Sequence, residues 1–389
     1  MIFYPDTPTM KKIKLMHIAE CAGGVEIYIK MLLSQMDKNK YKQILICSQN
    51  YQVEKYLSLV DHLEQIPMAN SIGIKDIFVI KKVRALIKYY HPDIIYCHSS
   101  KGGGYGRLAK IGLNCKVIYN PHGWAFNMRC GWFRHKLFLY AERLLGKFTD
   151  QFICISEEEK RSAKLAHVGN KKKMNVIRNG IDVYKLKNRL KDKEIITREK
   201  LGIPLNAFLF GMVGRIAIQK APDIFIQAAV TVKKIIPTAY FIIVGDGDLA
   251  ESIKKYAQET GIQNSLIITG WVDDTVPYIK LMDVACLLSR WEGFGLVLTE
   301  YMALNKPIIA TNTDAIPELI KDGVNGSIVE VDNVNAVVKA MVNYYNNPNL
   351  CQKYVLEGSE IVTKDFDIKR VVCETEILIN SVVQNSIAK

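Results

Sequence analysis

Glu292 and Glu300 stand eight positions apart in Ser289-Arg-Trp-Glu-Gly-Phe-Gly-Leu-Val-Leu-Thr-Glu300, on either side of a Gly-Phe-Gly turn. Residues 283–288 read as a buried strand. Leu296 to Leu304 reads as a helix with apolar residues at Leu296, Val297, Tyr301 and Leu304. One acid therefore lies in the turn and the other in the second helical turn. The N–H groups at such a helix start attract anions. Carboxylates are poor phosphate ligands but accept hydrogen bonds from sugar hydroxyls. The combination suits a ligand that is part phosphate and part polyol, such as a nucleotide sugar.

Cations of matching use lie in Val213-Gly-Arg215-Ile-Ala-Ile-Gln-Lys220. If this loop folds back before a helix at Ala221, Arg215 and Lys220 converge, hold a diphosphate and neutralise its charge as a leaving group. Glu20-Cys-Ala-Gly23-Gly24-Val-Glu26 opens a helix after the first strand, and its glycines let backbone approach a ligand. It lacks the Gly-x-Gly-x-x-Gly spacing, which disfavours a nicotinamide cofactor. Val244-Gly245-Asp-Gly247-Asp248 reads as a glycine turn shaping a nucleotide pocket, with metal binding at Asp246 and Asp248 as the lesser alternative. No His, Cys or Asp cluster offers better metal spacing, so no metal is expected. His122, beside Gly123 after a strand, is placed for a sugar hydroxyl or the reacting centre. His98-Ser99-Ser-Lys101-Gly-Gly-Gly104 reads as a polar, flexible loop, with His98, Ser99 and Lys101 as acceptor-side candidates.

These loops need strands to hold them. Apolar runs at 13–18, 43–47, 94–97, 116–119 and 151–155 alternate with helical patterns at 24–36, 77–90 and 133–146. A second series has strands at 208–213, 240–244, 266–269, 284–288, 307–310 and 327–329, with helices at 221–235, 249–259, 296–304 and 334–343. The fold class is α/β: two Rossmann-like, doubly wound parallel sheets. The domains are expected at 1–183 and 184–368, with a last helix near 369–389 returning to the first. The Lys-rich stretch 184–198 is the best linker. Ligands of such sheets lie beyond the C-terminal strand ends, so two domains can share one cleft.

At 389 residues, two domains are the natural expectation. A hydrophobic content of 49% with 23% charged residues suits a soluble globular protein, and no apolar run reaches the ~20 residues of a spanning helix. The N-terminus lacks a signal-peptide pattern, and residues 1–9 read as a loose tail before Met10. Nine cysteines without a Cys-x-x-Cys pair read as reduced core residues of a cytoplasmic protein. Charge is uneven: 34 Lys and Arg against 17 Asp and Glu through residue 195, then 18 against 22, a net of +17 and −4. The basic half suits an anionic surface, membrane or nucleic acid, or is simply a Lys-rich soluble face. Residues 130–148 mix aromatics and cations in helical register, as a helix lying on an anionic membrane would.

In order, Gly23-Gly24-Val-Glu26, His122-Gly123, Ile155-Ser156, Asn179-Gly-Ile-Asp182, Val213-Gly-Arg215 with Lys220, Val244-Gly-Asp-Gly247 and Glu292-Gly-Phe-Gly with Glu300 resemble the retaining family-4 glycosyltransferases of the GT-B fold. The resemblance covers nearly the whole chain. It implies that Arg215 and Lys220 bind the donor diphosphate, with Gly23 and Gly24 approaching it from the other domain. It places Glu300 on the ribose and Glu292 on the donor sugar, with His122 near that sugar. Amides of Gly295, Leu296 and Val297 would help hold the phosphates, and Gly245 and Gly247 would shape the pocket. It further implies retention of anomeric configuration by front-face attack, without metal or cofactor. Two departures stand out: Ala221 follows Lys220 where the family usually has Gly, and Thr313-Asp-Ala-Ile316 replaces a Gly-Gly pair. Tyr96-Cys-His-Ser-Ser-Lys101 and Tyr119-Asn-Pro-His-Gly-Trp-Ala-Phe126 look like segments of bacterial capsule and exopolysaccharide transferases, which points to a lipid-linked acceptor.

The expectation is a cytoplasmic enzyme on the inner face of the membrane. It would move a hexosyl unit from a UDP-, dTDP- or GDP-linked sugar onto a saccharide of a surface polysaccharide. A nucleotide-sugar epimerase of the same fold is the rival enzyme. A polyanion-binding protein is the non-enzymatic rival, but it leaves the acid pair and Arg215/Lys220 unexplained, so no nucleic-acid partner is expected.

Overall fold

The computed structural model describes residues 11–20, 23–68, 73–128, 131–188 and 196–387. The Cys21 and Ala22 part of the first glycine loop, the 1–9 tail, Cys130 and residues 189–195 of the expected linker lie outside them. The chain divides into two compact units. One runs to Arg178 and resumes at Val371; the other spans Asn179–Arg370.

The first unit is built on seven parallel strands: β1 (Ile13–Ala19), β2 (Tyr41–Ser48), β3 (His62–Ile66), β4 (Ile94–His98), β5 (Lys116–Asn120), β6 (Gln151–Cys154) and β7 (Met174–Val176), in the order β3-β2-β1-β4-β5-β6-β7. β1, β2, β4 and β5 are largely buried and mostly apolar because the sheet is covered on both faces. The edge strand β3 is half-buried and largely polar, and β7 is only three residues long, which is why no apolar run announces them. Between the strands lie α1 (Gly24–Gln35), α2 (Lys75–Tyr90), α3 (Ser99–Ala109), α4 (Trp132–Leu145) and α5 (Glu157–Leu165).

The stretch from Ser99 to Gly104 is not the flexible loop its composition suggests; it is the first half of α3. Its glycines are needed for close packing. A Cβ on Gly102 would lie 2.7 Å from the Ile18 carbonyl oxygen, and one on Gly103 would lie 2.3 Å from the Tyr119 ring. The helix thus rests directly on β1 and β5. Arg107 of this helix, fully buried, makes a bidentate pair with Glu142 of α4 at 2.8 and 3.2 Å, and Tyr119 donates to the same carboxylate at 2.9 Å.

The second unit has six parallel strands: β8 (Phe208–Val213), β9 (Ala239–Val244), β10 (Leu266–Ile268), β11 (Val284–Leu287), β12 (Ile308–Thr311) and β13 (Ser327–Val329), in the order β10-β9-β8-β11-β12-β13. Its helices are α6 (Val183–Asn188), α7 (Pro222–Ile235), α8 (Ala250–Glu259), α9 (Val276–Leu281), α10 (Leu296–Ala303), α11 (Ile316–Leu319), α12 (Val334–Asn346) and α13 (Pro348–Asp365). The last helix, α14 (Ile368–Ile387), begins here and continues into the first unit. In the first unit Glu376 of α14 accepts from the backbone N–H of Asp37 and pairs with Lys40. Part of the stretch expected as linker is therefore helical, as α6. Phe210, Phe225 and Phe241 anchor a core between the sheet and α7, α8 and α12.

Five cysteines of the described residues are buried, Cys351 is half-buried and Cys373 exposed; all are free thiols. Burial pushes Cys47 and Cys97 up to about 12, which keeps those thiols protonated and inert.

Candidate active site

In each sheet the strand order reverses once, between β1 and β4 and between β8 and β11. Loops leaving the C-terminal ends of strands on either side of such a reversal splay apart and leave a crevice. The chemistry-bearing residues of each unit gather there.

In the second unit, β8 ends at Val213 and feeds Gly214-Arg215, while β11 ends at Leu287 and feeds the Ser289–Gly295 turn. Lys220 closes the first loop with a single 3-10 turn, and Ala221 then adopts φ 50° before Pro222 starts α7. That left-handed φ is the reason glycine suits position 221. The fold-back brings Lys220 into a direct ion pair with Glu292. Glu292 also accepts from Ser289 Oγ at 3.0 Å, and its backbone N–H donates to Asp314 at 2.6 Å. Asp314, with φ 44°, thus does something specific at the point where the Gly-Gly pair is absent.

The two loops are cross-braced. Arg290 N–H donates to the Gln219 carbonyl at 2.8 Å, Gln219 donates to the Trp291 carbonyl at 3.1 Å, and the Arg290 guanidinium reaches the Ile218 carbonyl, Asp223 and Asp332. Asp223, first among the causes, holds that guanidinium more firmly protonated than usual. Arg215 is exposed, and its guanidinium lies 3.4 Å from the Gln219 amide oxygen.

The glycine turn after β9 lies against the same loop. Ile216 N–H donates to the Asp246 carbonyl at 2.9 Å, and a Cβ on Gly245 would lie 2.1 Å from the Gly214 carbonyl oxygen. Asp246 and Asp248 are both exposed. Among the described residues, no group of three His, Cys, Asp or Glu is arranged to hold a metal ion. Gly295, at φ 80°, is the N-cap of α10, so the amides of Leu296 and Val297 open the helix with no preceding carbonyl in reach. Glu300 lies one turn further along, half-buried.

In the first unit, Gly23 (φ 87°) caps α1, beyond the end of β1. His122 follows β5 at φ 53°. Its turn is fixed by Glu159, which accepts from Gly123 N–H and Ile155 N–H at 2.6 Å each, while Ser156 caps α5 through Glu159 N–H. Trp124 donates to the Glu159 carbonyl at 2.9 Å. The acceptor-side candidates are placed differently from a solvent-facing loop. His98 is fully buried with both ring nitrogens facing other imidazoles, Ser99 Oγ is buried, and Lys101 pairs with Asp76 at 3.3 Å. Asp314, Arg290 and His17 have no signal in the linear sequence, because their partners lie 22 to 81 positions away.

The model for glycosyl transferases group 1 matches residues 193–360, and that for glycosyltransferase family 4 matches residues 22–185. A relative from Escherichia coli, UDP-Gal:alpha-D-GlcNAc-diphosphoundecaprenol alpha-1,3-galactosyltransferase, is 29% identical over 93% of this chain and 97% of its own length. A 41.2 kDa protein of the cps region of Klebsiella pneumoniae is 31% identical over 84% of this chain and 88% of its own. The crystal structure of Anabaena HepE with UDP and glucose superposes with a TM-score of 0.81 at 18% identity, over 95% of this chain and all (100%) of that one. Two Rossmann-like units of this kind, in one chain, are the GT-B fold. The chain belongs to the glycosyl transferases group 1 family, and it is a glycosyltransferase.

Proposed function

We propose that this enzyme moves a hexosyl unit, with retention, from a nucleotide diphosphate sugar to a lipid-linked saccharide acceptor of a surface polysaccharide. The observation that carries the reading is the Lys220–Glu292 pair at the sheet reversal, beside the start of α10. A lysine ammonium has three protons, and one faces Glu292, so two remain for diphosphate oxygens. Arg215 and the amides of Gly295, Leu296 and Val297 complete the phosphate site, with Gly245 and Gly247 letting backbone come close. Glu300 takes the ribose hydroxyls, and Glu292 a hydroxyl of the donor sugar. The bond from the anomeric carbon to the phosphate oxygen breaks. The acceptor oxygen bonds on the same face, and its proton passes to the departing phosphate. Arg215 and Lys220 meet the developing negative charge, so the reaction runs without a divalent cation. His122 contributes a neutral imidazole to a sugar hydroxyl.

The name of the Escherichia coli relative supports the acceptor class. A membrane-surface location is supported by α4. Its outward side exposes Phe133, Leu137, Tyr140 and Leu144, a stripe at helical spacing, with Trp132 at its start and Arg134, Lys136 and Lys147 beside it. Among the described residues no helix is long and apolar enough to cross a membrane. We place the enzyme on the cytoplasmic face, where anionic lipid is met by the basic first half.

The test is a panel of UDP-, dTDP- and GDP-sugars incubated with a diphospholipid-linked GlcNAc acceptor. Acceptor-dependent release of nucleoside diphosphate and an NMR coupling showing the donor's anomeric configuration in the product are expected. Inversion overturns the mechanism, and isomerised donor with no diphosphate released overturns transfer itself.

A further inference from the structure

Three imidazoles lie in a row across the strand-order reversal of the first unit. His17 of β1 and His98 of β4 are fully buried, and His122 follows β5. His17 Nδ1 is 3.1 Å from His98 Nε2, and His98 Nδ1 is 3.3 Å from His122 Nε2. The register explains the row. Ala19 pairs with His98 and His98 with Asn120, so His17, His98 and the chain leaving β5 share one face of the sheet. Consecutive rings are nearly parallel, 11° and 21° apart.

We propose that His17 and His98 are positioning residues that act through His122, holding its ring neutral and in one tautomer toward the sugar it meets. The proposal rests on the reading of His122 as a sugar contact. A neutral imidazole has one N–H and one lone pair. Each contact in the row needs one of each, so reversing one tautomer requires reversing all three. His122 Nδ1 is left at the open end. At the closed end His17 Nε2 is buried with no partner, an arrangement that burial alone does not require and that a structural aromatic would avoid.

The other titratable groups facing the row are Tyr28 of α1, edge-on to His122, and Tyr96 of β4, against His98. Glu20, just past β1, interacts with Lys101, and Glu159 of α5 is taken up by backbone N–H groups. Tyr96 is held protonated, by burial first. Burial lowers His17 and His122 to about 3, and burial with the two neighbouring imidazoles puts His98 well below its ordinary value. Protonating any ring would also set two N–H groups against each other.

The test uses untagged full-length protein with 15N-labelled histidine rings, titrated from pH 4.5 to 8. In the native chain the rings of all three residues are expected to stay neutral, with the shifts of a single tautomer at His122. In His17→Leu, which removes the ring at the closed end of the row, His122 is expected to show mixed tautomers, with burial still keeping its ring neutral. Transfer measured with the donor that the panel identifies should fall severalfold, because only part of the His122 rings then present the tautomer that the sugar meets. His17→Asn, whose amide stands in for Nδ1, is expected to restore a single tautomer at His122 and most of the activity. His122 shifts unchanged in His17→Leu, or a loss of activity that His17→Asn does not restore, would overturn the proposal. Separately, full activity in His122→Ala overturns the sugar contact while the ring titration still reports on the row.

Discussion

Lys220 donates to a carboxylate that Ser289 holds through its side chain and Asp314 through the backbone of the same residue. The two partners should fail differently. Lys220→Ala is expected to weaken nucleoside diphosphate binding about tenfold or more by calorimetry, because a charge-assisted phosphate contact is lost. Glu292→Gln keeps a hydroxyl acceptor and nearly the same volume. It should bind nucleotide within a few fold but transfer about 100-fold more slowly, as expected when a preorganised charge near the reacting centre is removed. Equal, small effects in both would remove the pair from the chemistry. Ala221 shows the local cost of this geometry. Its φ of 50° is disfavoured by about 1–2 kcal/mol, while its fully buried methyl contributes about 0.8 kcal/mol. Ala221→Gly also frees the unfolded chain by roughly 0.4–1 kcal/mol. The net change in denaturation midpoint should therefore be small, under about 1 kcal/mol.

Among the elements, α4 joins two environments. Inside, Glu142 ties it to Arg107 and Tyr119; outside, it presents a stripe of aromatic and aliphatic side chains. Replacing Phe133 and Tyr140 together by Ser leaves the inner contacts in place. It should lower co-sedimentation with phosphatidylglycerol vesicles severalfold, with little change on pure phosphatidylcholine; equal binding of variant and native protein would argue against the surface. What the linear sequence revealed divides along the same line of burial. β1, β4, β8 and β9 were legible because a strand covered on both faces is mostly apolar, even with His17 in β1 and His98 in β4. β3 and β7 were not, since edges need only one apolar side. α3 read as a loop because its glycines are poor helix formers, and only the neighbouring sheet explains them. Lys220 and Glu292 were legible as loop residues at strand ends. The Asp314 and Arg290 braces were not, because they exist only once distant segments meet.

For the molecule as a whole, the buried imidazoles set a pH dependence. His17 and His122 have folded values near 3, below the ordinary 6.5 of the unfolded chain. Between those values the unfolded chain binds protons that the folded chain refuses. Stability is therefore undiminished above about pH 6.5 and falls as pH drops toward 3, by roughly 1.4 kcal/mol per pH unit for each ring. Urea midpoints at pH 7.5 and 5 should differ clearly, and His17→Leu should flatten the difference. The charge asymmetry also acts globally: association with anionic vesicles should weaken between 50 and 300 mM salt, as screening shortens the reach of the basic half.

The seam where α3 rests on the sheet leads to one more expectation. At Gly103 a single methyl would collide with Tyr119, a ring already fixed by a carboxylate and lying 3.8 Å below a guanidinium. A survey of every substitution along this chain, scored by growth or capsule, would mark positions 102, 103 and 106 as intolerant as the catalytic ones. Their silence in a binding assay, set beside their severity in such a survey, would separate the scaffold's demands from the reaction's.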